Sequence, residues 1–553
     1  MTTRSPQSLQ QFWHSRRGRT VRENLTAYLF LLPAAVIIFT FGIFPVAFAF
    51  FVSLYEWRRF PESYQGLDNY VRALDNLAFV LFFWLAIAAL VYGLILLRRL
   101  WRTTTSDRRG FLALLPGILN AATWVLFVNW FFTLLPVVLD IPQRIRGQER
   151  VQGIFINELA ASVQVPQVVE AGTALLLAAL LAITASFIFS RVNRKTSVGL
   201  LTSATLVFVF LALGAFTLQL TAAEIQLAIE TARAAGEDLP LWSQVIFISA
   251  GIALVIAGFI LWQRASRHYD DRKFVVWGLT GVLLLLGGYI LSAELPNALA
   301  NADRDLLHGF VITIMFSLGT VPVQLAVGMG LAYLLFQNIR GKVLFRIVYF
   351  LPYITPFVAT SVVFRILFSH RATSPVNNLV GLVGIPAQKW LLEPTGINRL
   401  FFGENLPDVL SGPSLALLVI MLYTIWTYIG YDAVVFLAGL GNISGELYEA
   451  ARIDGASGWR VFRHITFPLL SPTTFFLSLI AIIGTFKAFT QIWIMRSPAA
   501  STSVDTMSVY IFEMVRTNGN MGYGSAMAFV LFGVILVLTV FQNRIMGSRV
   551  FYG

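Results

Sequence analysis

The chain has 553 residues, of which 57% are hydrophobic and 12% charged, with a mean hydropathy of +0.73; a soluble globular chain carries about 25% charged residues. That balance excludes a soluble globular protein and points to an all-α, polytopic membrane protein. The net charge of +12 does not call for nucleic acid, because basic residues concentrate in the cytoplasmic loops of membrane proteins.

There is no cysteine, hence no disulfide, thiol chemistry or cysteine metal site. The histidines (His14, His268, His308, His370, His464) are scattered, with no pair at ligand spacing, so no metal site is expected. No G-x-x-x-x-G-K-[ST] sequence occurs, so the chain has no P-loop for ATP phosphates.

In chain order, residues 1–24 form a basic tail carrying Arg4, Arg16, Arg17, Arg19 and Arg22. The apolar run that follows, about Leu25 to Leu54, is too long for a signal-peptide core and has no evident cleavage site. It reads as an uncleaved first helix with its tail in the cytoplasm, kinked at Pro33 and Pro45. Residues 76–306 then hold six apolar runs, about 77–97, 111–139, 167–190, 198–221, 243–263 and 274–291. Each is near the ~20 residues that cross a ~30 Å hydrocarbon core. An even number returns the chain to the side it left, and the charges agree. Arg98, Arg99, Arg102, Arg108 and Arg109 fall in one loop, Arg191, Arg194 and Lys195 in the next on that side, and Arg264, Arg267, Arg272 and Lys273 in the third. The alternate loops hold Glu224, Glu230, Glu237 and Asp238, then Glu294, Asp303 and Asp305.

From residue 307 on, five more spans are expected: 308–336, a helix from about 345 to 368, 414–439, 472–495 and 523–545. A short cytoplasmic turn, Asn338 to Lys342, joins the first two. Residues 369–413 are polar and rich in Pro and Gly, and read as an outside loop with short helices. Residues 496–522 also lie outside, and Arg544 and Arg549 inside. The total is twelve spans: one, then six, then five.

Between the third and fourth of these last spans lies a polar stretch, Ser444 to Pro472. Ser444 suits a helix N-cap, with Glu446 and Glu449 in the first turns, where carboxylates favour the positive end of the helix dipole. Leu447, Ala450 and Ala451 at i, i+3 and i+4 give one apolar face. Asp454-Gly455 stops the helix, Gly being free to turn left-handed. Ser457 can cap a second short helix carrying Trp459 and Phe462, which Pro468 and Pro472 end. The reading is a helix–turn–helix knob.

Glu449-Ala450-Ala451, Asp454-Gly455-Ala456, Phe462, Ile465, Pro468 and Pro472 together resemble the EAA loop of binding-protein-dependent ABC importer permeases. Phe467 stands where that pattern usually has Leu, and Ser444 where its sugar branch usually has Pro. The likeness extends to Ser53–Trp57 and Gly66–Tyr70, to Phe345–Pro356 with its Leu351-Pro352-Tyr353-Ile354-Thr355-Pro356, and to Leu437-Ala438-Gly439-Leu440. These are similar to MalF-type sugar permeases over roughly 1–75 and 307–553. The resemblance implies a six-helix permease core with residues 76–306 as a six-helix insert of its own. It implies that Glu449, Ala450, Ala451, Asp454, Gly455, Ala456, Phe462, Ile465 and Pro468 couple to a separate ATPase dimer, which alone holds ATP and magnesium. It further implies a second permease subunit, an extracytoplasmic solute-binding protein and a place in the cell membrane with both termini cytoplasmic. The chain is expected to bind no cofactor and to be no enzyme itself. Membrane lipid is the remaining partner.

Ionisable residues inside membrane helices are expensive and mark functional candidates. Asp432 and Lys487 are read as mid-helix; Arg365 lies nearer a membrane face and snorkels. Tyr428, Tyr431, Asp432, Phe486, Lys487 and Phe489 are the candidate substrate path, with aromatic rings offered to the apolar faces of a sugar. The structural alternative is a mutual Asp432–Lys487 ion pair. Carbohydrate is the expected cargo; glycerol phosphate or another polyol is the alternative within the family. Outside it stand an ion-coupled carrier, which would leave the knob unexplained, and a membrane transferase, which would need a clustered acidic motif that the loops lack.

Overall fold

The computed structural model describes residues 16–58, 61–104, 112–146, 153–192, 197–236, 239–265, 273–337, 339–403, 405–407 and 410–547. Arg4, Arg108, Arg109, Arg194, Lys195, Glu237, Asp238, Arg267, Arg272, Asn338 and Arg549 lie outside the described residues. Among those described, ten helices are long and apolar enough to cross a membrane, and two further pairs of helices, each bent at a short break, bring the number to twelve if each pair crosses once. This is the polytopic all-α architecture that the apolar runs imply.

Contacts divide the chain into two compact units, residues 1–66 with 100–209 and residues 67–99 with 210–553. In the first, the span Thr26–Ser53 is interrupted by a π-helical turn at Phe39–Ile43. Pro33 sits inside an unbroken helix, so the irregularity precedes Pro45 and is not at Pro33. A short antiparallel ribbon, Tyr55–Trp57 with Pro61–Tyr64, follows. Phe51 stacks on Phe132 at 4.9 Å and closes a small aromatic core with Trp57. Where Gly117 meets Ala204, an added Cβ would lie 2.6 Å from the alanine methyl, the close approach that small residues permit between membrane helices.

In the second unit we number α1 (Asp68–Leu74), α2 (Leu241–Ala265), α3 (Lys273–Ala298), α4 (Arg304–Phe336), α5 (Lys342–Ile354), α6 (Phe357–Leu367), α7 (Leu415–Gly441), α8 (Gly445–Ile453), α9 (Gly458–Leu469), α10 (Ser471–Phe486), α11 (Thr490–Met495), α12 (Met507–Arg516) and α13 (Met521–Met546). α2 and α3 pack as a hairpin through Gly251 and Gly287; a Cβ on Gly287 would lie 2.8 Å from the Gly251 carbonyl. α4 and α7 pack along each other, with Phe316, Leu417, Ile420 and Tyr423 fully buried.

Three helix limits differ from the sequence expectation. The helix expected to end near 221 runs on to Ala234, so Glu224 and Glu230 stand on it and not in a loop. The helix expected over 345–368 breaks between α5 and α6 with a bend of 96°. Pro356 forces Thr355 into extended backbone (φ −69°, ψ 146°). The freed groups are satisfied locally: the Thr355 hydroxyl donates to the Pro352 carbonyl at 2.8 Å, and the buried Tyr423 hydroxyl meets Thr360 at 2.7 Å and the Phe357 carbonyl at 3.1 Å. The span expected over 472–495 ends at Phe486, and Lys487, Ala488 and Phe489 separate α10 from α11. Ser508 donates to the Phe486 carbonyl at 2.8 Å and Thr506 to that of Ala488 at 3.4 Å. Irregular backbone at membrane depth survives only where protein or a cavity receives its polar groups.

Two charge clusters tie segments of this unit together. Asp303 caps α4 by accepting from the Asp305 and Leu306 amides, and the Tyr510 hydroxyl donates to it at 2.9 Å. The Tyr523 hydroxyl also donates to Asp303, and Arg72 of α1 lies 4.3 Å from the centre of the Tyr523 ring. Burial and the bond to Asp303 push the Tyr510 hydroxyl above its ordinary range. Arg496 binds Asp505 at 2.8 Å and Glu513 at 3.5 Å, with its guanidinium over the Trp493 ring at 4.0 Å. Burial pushes the Asp505 carboxyl up, against the opposing pull of Arg496. These bonds order the segment 496–516.

Candidate functional site: an exposed knob and the cavity above it

The knob forms as α8, a turn, and α9. The Ser444 hydroxyl accepts from the Glu446 amide at 3.3 Å. Gly455 takes φ +72°, and the Ala456 amide reaches back to the Ala451 carbonyl at 2.9 Å, closing the helix end as a left-handed glycine allows. Ser457 stands at the next N-cap without a side-chain bond, and α9 turns π-helical over Phe462–Thr466. Pro468 does not end this helix, which runs to Leu469 before a 62° bend into α10. There Pro472 takes the first turn, where its missing N–H is no loss.

The apolar face differs from the periodicity expectation. Ala451 is buried and the Tyr448 hydroxyl meets Thr466 at 3.2 Å, but Leu447 and Ala450 face outward. α8 is thus rolled so that Tyr448 and Ala451 hold it to α9. Phe462 anchors the pair to the bundle, its ring edge-on to Tyr333 at 5.1 Å; Ile465 and Pro468 are half-buried beside it. What remains outside is a mixed surface: Glu449, Asp454, Ile453 at 86% exposure and Trp459 at 69%. Among the described residues Glu449 has no hydrogen-bond or ion-pair partner.

α4, α5, α7, α10 and α11 line a cavity of about 210 Å3. It forms where the helices cannot close: the α5–α6 bend and the α10–α11 break both lie against it. Tyr353 stacks on Tyr431 at 4.8 Å and meets Tyr428 edge-on at 5.7 Å, so that three rings make one wall. Asp432 (2% exposed) on α7 and Gln324 (3% exposed) on α4 both line it. The helices come this close because position 328 is glycine; a Cβ there would lie 2.7 Å from that of Asp432. Thr424, Thr485 and Gln491 add polar groups, and Leu477, Ile480 and Ala481 an apolar side. The Thr485 hydroxyl meets that of Ser317 at 2.8 Å.

Of the six residues proposed for a path, Tyr428, Tyr431 and Asp432 line this cavity. Phe486, Lys487 and Phe489 do not. Phe486 is buried against Phe310 (6.5 Å between rings) and Phe489 packs between Trp493 at 5.7 Å and Phe512 at 4.6 Å. Lys487 is not mid-helix: it caps the end of α10 and is exposed. It forms no ion pair with Asp432. Arg365 is exposed and reaches the Ile494 carbonyl at 3.3 Å. Sequence reasoning missed Gln324, Tyr353, Thr485 and Gln491. The signals available were a Gln two residues after Pro322 in an apolar run and the tyrosine inside Leu351–Pro356.

The profile of the family described as binding-protein-dependent transport system inner membrane component matches residues 324–550, which include the knob and every residue named as lining the cavity. The arabinooligosaccharides transport system permease protein AraP of Bacillus subtilis is 31% identical over 48% of this chain and 79% of its own length. The lactose transport system permease protein LacF of Rhizobium radiobacter is 30% identical over 42% of this chain and 72% of its own. The sn-glycerol-3-phosphate permease UgpA of Agrobacterium fabrum is 29% identical over 53% and 92%. A bacterial ABC transporter that imports the acidic polysaccharide alginate aligns over 44% of this chain and 80% of its own at 21% identity, with a TM-score of 0.39. On the likeness to AraP, the chain belongs to the binding-protein-dependent transport system inner membrane components, the permease subunits of ABC importers.

Proposed function

We propose that this permease carries a carbohydrate, in the manner of the MalF type, through the cavity lined by Tyr353, Tyr428, Tyr431 and Asp432. The chain is not itself the motor. A separate ATPase dimer, holding ATP and magnesium, seats the knob in a groove with Glu449 opposite a basic residue. Its closing pushes α8 and α9. The push passes along α7 and α10, which flank the knob in sequence and wall the cavity, and turns the cavity from one face of the membrane to the other. A second, different permease subunit completes the path and a solute-binding protein delivers the cargo outside. The knob and both termini then lie in the cytoplasm, and residues 76–306 interrupt in sequence the permease core of 1–75 and 307–553.

The observation that carries this reading is the outward face of the knob. A polar turn that leaves Glu449 unpartnered and shows Ile453 and Trp459 to solvent is built to be covered, since buried aromatic anchors with a charge nearby dominate protein interfaces. Uptake in whole cells separates this reading from an ion-coupled carrier. Depleting ATP stops uptake and an ionophore at constant ATP leaves it intact; the reverse pattern contradicts the proposal. Phosphorylated polyols remain the second reading, supported by the likeness to UgpA.

A further inference from the structure

Two oxygens of the cavity lining stand unmatched. Asp432 Oδ2 and Gln324 Oε1 are buried with no hydrogen-bond partner among the described residues, and Thr320 Oγ1, on the same helix as Gln324, is likewise unpartnered. An unmatched acceptor at this depth is costly unless something supplies a proton donor. The two side chains come from facing helices, α4 and α7, pinned together at Gly328. Among the described residues, the cavity's lining contains one carboxyl group and no lysine, arginine or histidine. Lys487, the nearest basic residue in sequence to the α10 wall, is turned out at the helix end.

We propose that this cavity selects for solutes that present hydroxyl or amino donors and against solutes that carry a phosphate or carboxylate. Asp432 is the specificity residue: it receives donors from the solute, and Gln324 receives them from the opposite side. An anion entering here sheds its water with no cation to meet it, a penalty that only a paired, well-bonded charge offsets. A neutral or amino saccharide instead satisfies the waiting oxygens and lays its apolar face on the Tyr353–Tyr431 wall. The inference rests on the reading of the cavity as the solute path. It deepens that reading by separating this permease from relatives named for an anionic cargo.

The test is binding to the intact, purified transporter in lipid nanodiscs, without the solute-binding protein, by isothermal titration. The probes are lactose, arabinotriose, a glucosamine disaccharide, sn-glycerol 3-phosphate and a galacturonate disaccharide. The expected result is binding of at least one neutral or amino saccharide and none of the two anions. Asp432→Asn weakens the saccharide roughly tenfold or more, the loss of one charge-assisted bond. The wild-type panel needs no variant, so the inference stays open to refutation even if Asp432→Asn folds poorly. Tyr431→Ala separates the two ways of failing. An anion that binds the wild type and is lost in Tyr431→Ala overturns the charge preference while leaving the cavity as the path. A saccharide whose binding is unchanged in both Tyr431→Ala and Asp432→Asn overturns the path itself, and the charge preference with it.

Discussion

Glu449→Lys is expected to reduce uptake by about a hundredfold or more while the protein stays at normal abundance in the membrane. The size follows from placing like charges opposite each other at an interface, where loss of a close charge pair costs about 2–5 kcal/mol and about 1.4 kcal/mol is a factor of ten. The folded chain itself has little to lose. Glu449 is exposed and unpartnered, and substitutions at such sites shift stability by about 0.5 kcal/mol or less. The measurement is uptake in proteoliposomes beside ATP hydrolysis by the same assembly. Hydrolysis that continues without responding to solute, together with lost uptake, marks uncoupling. Wild-type uptake at equal protein level would remove Glu449 from the coupling path.

Gly430→Ala acts in the opposite way, on the fold and not on a partner. α5 crosses α7 so closely at this point that a Cβ on Gly430 would collide with the Tyr349 carbonyl and lie 3.0 Å from the Phe350 Cα. The obstacle is backbone, which no rotamer change relieves. α5 must move away, carrying Tyr353 off its stack with Tyr431. Overpacking of this kind costs about 1–3 kcal/mol, and a lowered Tm in detergent with loss of saccharide binding is the expected result. Gly441→Ala, at the end of the same helix with nothing within 4 Å of its added Cβ, is the control. Equal Tm values for the two variants would mean that the crossing at Gly430 is not tight.

The spans were legible because lipid leaves few ways to satisfy a backbone, so a run of apolar residues of the right length is nearly a helix by necessity. The knob was legible for a similar reason: Ser444, Gly455 and Pro472 each act locally, through a cap, a left-handed turn and a missing N–H. Tertiary context decided the rest. Pro356 announced an irregularity, but only the Tyr423 and Thr360 hydroxyls that receive the broken turn let it become a 96° bend. Lys487 and its aromatic neighbours were placed on the path by assuming one continuous helix. The break after Phe486 ends the helical periodicity there, and none of the three lines the cavity. Asp432 stood out because a charge in an apolar run is rare; Gln324, neutral and equally buried, did not. The i, i+3, i+4 pattern chose Leu447, Ala450 and Ala451, yet the Tyr448–Thr466 contact rolled the helix by one position. Periodicity measures how apolar residues are spaced, not which neighbour is available to cover them.

The central claim, that the knob receives work from a separate motor, is open to direct test because the chain has no cysteine and a single introduced thiol is unique. Ile453→Cys, at a position 86% exposed on the tip of the knob, is treated with a bifunctional thiol cross-linker in native membranes with and without ATP. The account predicts a product between this chain and a nucleotide-hydrolysing subunit, with a yield that changes when ATP is added. A thiol that reacts freely with a small reagent but joins no such subunit in either state would contradict it.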